Sequence, residues 1–124
     1  MQTALVIAVG GALGALSRYS LGVWISNKWN SSFPLHTFLI NISGAFLLGF
    51  LHILFVERLN VSPFWRLGIG VGFLGAFTTF STFGFEVISL LEGGSFMTAG
   101  LYVILSIIVG FSGVALGVNL ARLF

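Results

Sequence analysis

Four long apolar stretches run through the chain, separated by short polar ones. Each stretch is the length of a bilayer crossing, roughly 20 residues of helix. They predict transmembrane helices over about residues 3–25, 33–56, 63–91 and 96–120. The third, at 29 residues from 63 to 91, is too long for one straight crossing, so a tilt or an internal break has to absorb the excess. Its middle reads Gly75-Ala76-Phe77-Thr78-Thr79-Phe80-Ser81-Thr82-Phe83, just after Gly68, Gly70 and Gly72. Glycine weakens a helix and hydroxyl side chains compete with its backbone ladder. A break is therefore predicted near residues 75–79. Lipid offers no hydrogen-bond partners, so non-helical backbone at that depth needs protein or an aqueous cavity around it. Such a break marks an ion site or a pathway.

Composition narrows the class. Hydrophobic residues make up 57% of the 124 and charged ones only 6%, which excludes an ordinary soluble domain. The expected fold class is an all-α membrane protein with a single four-helix domain over residues 1–124. Five basic residues scattered singly make no patch of the kind nucleic acid requires. The absence of cysteine excludes disulfides and thiolate metal sites. The first apolar run lacks a basic leader and a small-residue cleavage signature, and is expected to stay as a helix.

Polar residues inside the spans carry the chemistry. In the first span, Gly10 with Gly14 and Gly11 with Ala15 invite close backbone packing. Arg18 is read as snorkelling to the interface in preference to lining a pore. In the second, Thr37, Asn41 and Gly44 share one face. Asn41 is either interhelical glue or a donor to a passing ligand. His36 and His52 fit no paired metal-ligand spacing and are read as interfacial contacts. Past the break, Phe80 and Phe83 stack at i and i+3, while Thr79, Thr82 and Glu86 form a polar stripe. In the last span Tyr102, Ser106, Gly110, Gly113 and Gly117 share a narrow face.

Charge leaves the orientation open. The amino end, second loop and carboxyl end share one side with Arg58, Arg66 and Arg122, against Lys28 and Arg18 on the other. So small a bias lets the chain insert both ways round. An antiparallel homodimer would then supply the symmetry that larger transporters build from inverted repeats. Unpaired carbonyls of facing breaks suit a dehydrated cation, either transported or structural. The positive edges of phenylalanine rings and the hydroxyl and amide donors suit a small anion or polar solute.

The set Gly10-Gly11, Gly14-Ala15 and Arg18, then Thr37-x-x-x-Asn41-x-x-Gly44, then Gly75-x-x-Thr78-Thr79-Phe80-Ser81-Thr82-Phe83, resembles the Fluc or CrcB family of fluoride channels. The resemblance implies an antiparallel, dual-topology homodimer in a bacterial inner membrane, with two fluoride pores and a structural sodium ion on its axis. It implies that the backbone carbonyls of Gly75 and Thr78 hold the sodium. It further implies an anion pathway of Asn41, Phe80, Phe83, Ser81, Thr82, Tyr102, Ser106 and Thr37, with Glu86 near a vestibule. His36 departs from the glycine frequent at that place in the family. Two other classes stay open: a dual-topology, proton-coupled exporter of cationic drugs using Glu86, and a non-transporting assembly subunit. No nucleophile with its base is readable, so an enzyme is not expected.

Overall fold

The computed structural model describes residues Met1–Phe124 and is all helical. Helix α1 runs from Gln2–Lys28, and α2 over Leu35–Arg58, its last turn wound as a π-helix. Helix α3 covers 63–77, α4 Phe80–Glu92 and α5 Phe96–Ala121. Four stretches, Gln2–Lys28, Leu35–Arg58, Pro63–Glu92 and Phe96–Ala121, are long and apolar enough to cross a membrane.

The ends differ slightly from the sequence expectation. Ser26, Asn27 and Lys28, expected in the loop, continue α1, because nothing there stops a helix before Trp29. Lys28 then lies 5.3 Å from the Trp24 ring centre, one turn back. Helix α2 begins two residues later than expected, after Pro34, and takes in Glu57 and Arg58. Asn60 and Gly94, with φ of 50° and 80°, make the left-handed turns in the next two loops.

Helix α1 packs on α3, and α2 on α5. Both pairings depend on missing side chains. A Cβ at Gly10 would run into the Gly68 carbonyl, and one at Gly14 into that of Phe73. Across the other pair, a Cβ at Gly49 would lie 2.5 Å from the Val114 carbonyl, and one at Gly117 would overlap that of Phe46. Membrane helices gain little from burying apolar side chains, so such close backbone contact supplies much of their attraction. The segment Leu67–Leu74, which faces α1, is wound as a π-helix, a form that is usually short.

Helix α4 is the exception. It buries none of its residues, and Phe80, Phe85 and Ile88 are 83%, 75% and 54% exposed. On the opposite end of the bundle, Arg122 and Glu57 pair at 3.4 Å and tie the end of α5 to that of α2. Both are about half exposed, so this pair adds at most about 1 kcal/mol.

The glycine contacts give a test with opposite signs. Gly14→Ala is expected to lower the thermal midpoint in detergent, overpacking costing about 1–3 kcal/mol. Gly100→Ala, where nothing lies within 4 Å of an added Cβ, is expected to leave it unchanged or raise it. Equal effects in both variants would contradict this packing.

Candidate ion pathway

Between α3 and α4, Thr78 and Thr79 are extended, with φ, ψ of −82°, 156° and −151°, 118°. Their conformation follows from two side chains. Asn41 of α2 presents its amide edge to Thr79: Nδ2 donates to the Thr79 carbonyl at 2.9 Å, and Oδ1 accepts from the Thr79 N–H at 2.7 Å. That N–H would otherwise close a helical turn on the Gly75 carbonyl. Thr79 Oγ1 in turn accepts from the Thr82 N–H at 3.2 Å, an N-cap bond that starts α4. The Thr82 N–H would otherwise serve the Thr78 carbonyl. Gly75 and Thr78 thus lose their i+4 donors, and their carbonyls are left to accept from elsewhere.

Gly75 itself departs from the expectation that the break begins there. Gly75–Phe77 remain helical, and the Gly75 N–H bonds back to the Gly70 carbonyl. The backbone leaves the helix only where Asn41 competes for an amide.

A second grip lies higher on the same helices. Thr37, which is buried, donates to Glu86 Oε1 at 2.5 Å, and the Tyr102 hydroxyl lies 3.5 Å from Glu86 Oε2. Thr37 and Asn41 stand about one turn apart on α2, and grip Glu86 and Thr79 respectively. Since Glu86 lies beyond Thr79 in the chain, α4 runs antiparallel to α2.

The sequence-predicted residues fall on different sides of α4. A cleft of about 490 Å³ holds Asn41, Thr78, Thr79, Phe80, Phe83, Ser106 and the Gly75 and Gly110 backbone. Within it the Phe80 and Phe83 rings stand 5.9 Å apart at 50°. A polar cleft of about 530 Å³ holds Thr82, Glu86, Ser89, His36, Ser26 at the end of α1 and Trp29, Ser31 and Ser32 of the loop after it. A third, of about 300 Å³, holds Arg18, His36, Thr37, Thr79 and Thr82. Tyr102 is fully buried between the first two, with its ring edge-on to Phe83 at 4.9 Å and its hydroxyl toward Glu86. Ser81 lines none of the three and lies 3.4 Å from Thr79 Oγ1.

Of the two readings of Asn41 the structure realises the interhelical one, and two further features were not read from the sequence. The Asn41 amide closes on backbone, although one Nδ2 hydrogen remains free for another acceptor. Phe33, assigned only to a helix end, packs edge-on to Tyr102 at 5.3 Å. Arg18, read as an interfacial anchor, lines a cleft beside the threonine pair and has no ion-pair partner. The i, i+4 spacing of Thr37 and Asn41 was the signal for the double grip.

A family model described as CrcB-like protein, Camphor Resistance (CrcB), matches residues 5–118. The chain is 48% identical over 118 residues to the fluoride-specific ion channel FluC of Roseiflexus sp. (strain RS-1), covering 95% of each. It is 46% identical over 111 residues to the protein of the same name from Acidobacterium capsulatum, covering 90% of this chain and 89% of that one. It is 39% identical over 123 residues to that of Sulfurihydrogenibium sp. (strain YO3AOP1), covering 99% of each. These relatives are channels and not enzymes. Four apolar spans and this kinship make the protein a multi-pass component of the bacterial inner membrane. With the match extending over nearly the whole sequence, the chain belongs to the CrcB family.

Proposed function

We propose that the protein is a fluoride-selective channel that lets fluoride leave the cytoplasm passively and so confers fluoride resistance. The observation that carries this reading is the Asn41 grip on Thr79, with the Phe80 and Phe83 rings directly beside it. Relatives of 48% and 46% identity carry the name fluoride-specific ion channel. Hydrogen fluoride crosses lipid as a neutral acid and ionises inside. A pore for the anion then lets the membrane potential expel it.

The working unit is an antiparallel homodimer with two pores. Helix α4 supports this, because it buries nothing within one chain and leaves Phe80 and Phe85 bare. The break in the third span meets its twin at the two-fold axis, and the Gly75 and Thr78 carbonyls of both subunits hold a structural sodium ion. Carbonyls deprived of their helical donors fit a small dehydrated cation, whose shell they replace. The sodium seals the seam and carries no flux.

Asn41, Phe80, Phe83 and Ser106 contribute one part of the anion pathway, with ring edges and hydrogen-bond donors toward the ion. Thr82, Thr37, Tyr102 and Glu86 contribute its polar track and vestibule, and Ser81, outside the clefts of one chain, joins the track only at the dimer seam. Because these residues lie on two sides of α4, each pore draws its walls from both subunits. A drug exporter needs Glu86 free to exchange protons with its cargo, yet the carboxylate is already engaged by Thr37 and Tyr102.

Two tests follow. Asn41→Asp places a carboxylate against the Thr79 carbonyl, and Phe80→Met removes a ring edge. Each is expected to reduce fluoride efflux from proteoliposomes by about tenfold or more, a loss of roughly 1.4 kcal/mol of stabilisation along the path. Unchanged efflux in both would overturn the site. Because the chain has no cysteine, Ser31→Cys offers a single label site. An impermeant maleimide is expected to reach about half of the chains in intact cells and the rest only after permeabilisation. Labelling of all or none in intact cells would overturn the dual topology.

A further inference from the structure

His36 belongs to neither grip, yet it occupies the wall between two clefts. It lines the polar cleft that contains Glu86 and Thr82, and also the cleft that contains Arg18 and Thr82. It is the second residue of α2, one turn of helix above Ile40 and directly before the buried Thr37. Its ring approaches α1 at Gly22, where an added Cβ would lie 3.9 Å from Cδ2. No hydrogen bond to protein holds either ring nitrogen, and neither is buried away from water.

The charged and titratable groups around it are few. From α1 come Arg18 and Tyr19, from α4 Glu86, and from α5 Tyr102. Arg18 lines one cleft and Glu86 the other, and His36 stands in the wall they share. Imidazole is the side chain whose charge changes between pH 5 and 8. A proton gained by His36 would add one positive charge to both clefts, with Thr82 also shared by the two. Charge of one sign in a cleft with low-dielectric walls raises the local concentration of counter-ions and their rate of entry.

We propose that His36 is an anion-attracting residue of the pathway mouth, whose protonation raises fluoride entry as that side becomes acidic. This rests on the channel reading given above. The sign suits the chemistry: an acidic surrounding drives in more hydrogen fluoride, and the same protons would speed the return of the anion.

Planar-bilayer currents test this directly, because neutral hydrogen fluoride carries no current. At fixed fluoride and sodium concentration, the native channel is expected to lose about two- to fivefold of its current as pH rises from 5.5 to 8, the size expected for one unit charge several ångströms from the ion in a wet site. His36→Gln is expected to give a low current that varies little with pH. His36→Lys is expected to give a high current that varies little with pH. A native current independent of pH, or a dependence kept in full by both variants, would overturn the role of His36. Absence of fluoride current from the native protein at every pH would instead overturn the channel reading itself.

Discussion

Two hydrogen bonds between the Asn41 side chain and the Thr79 backbone govern the rest of the site. A carboxamide offers a donor and an acceptor side by side, as a peptide group does, and so pairs with an extended residue as a neighbouring strand would. The pairing satisfies a backbone N–H and C=O that would otherwise be stranded in a non-aqueous interior, each worth roughly 1–3 kcal/mol. It also withholds the amide that the Gly75 carbonyl needs. Thr79 repeats the effect one turn later by capping Thr82 and withholding that amide from Thr78. Interruption and free carbonyls thus have the same cause.

The interruption also divides the labour around α4. On one side the phenylalanine pair faces an apolar cleft with Asn41 and Ser106 at its wall. On the other the hydroxyls of Thr37 and Tyr102 converge on Glu86. Tyr102 joins the two, contributing its ring to one side and its hydroxyl to the other. Helix α4 buries nothing within its own chain, and in the proposed dimer a second subunit covers its aromatic face. In the proposed dimer that same approach brings two sets of free carbonyls together.

Much of the bundle was legible in the sequence, because apolar length and short polar loops leave few arrangements for 124 residues. The small residues Gly10 and Gly14 announced a close contact, though not that Gly68 and Phe73 would supply the opposing carbonyls. The stretch 75–83 announced unusual backbone and placed it near 75–79, without singling out the two residues that leave the helix. Gly75 stays helical, whereas Thr78 and Thr79 are extended, Thr79 held by a residue 38 positions earlier. That contact is tertiary, and propensity carries no record of it. Likewise, Arg18 is close enough to the surface to snorkel by count, and it lines the cleft that Thr79 and Thr82 also line, a neighbourhood that spacing does not show. Ser81 shared a motif with Thr82, but helical geometry turns it away from the clefts that Thr82 lines.

In the proposed dimer, carbonyls freed by Asn41 and Thr79 bind a resident cation at the seam of a fluoride pathway. Fluoride efflux from proteoliposomes, measured with sodium and with a bulky organic cation in its place, and with chloride as the control anion, tests it most directly. The account predicts rapid fluoride efflux that depends on sodium, with chloride retained. Fluoride efflux indifferent to sodium, or chloride leaving as fast as fluoride, would contradict it.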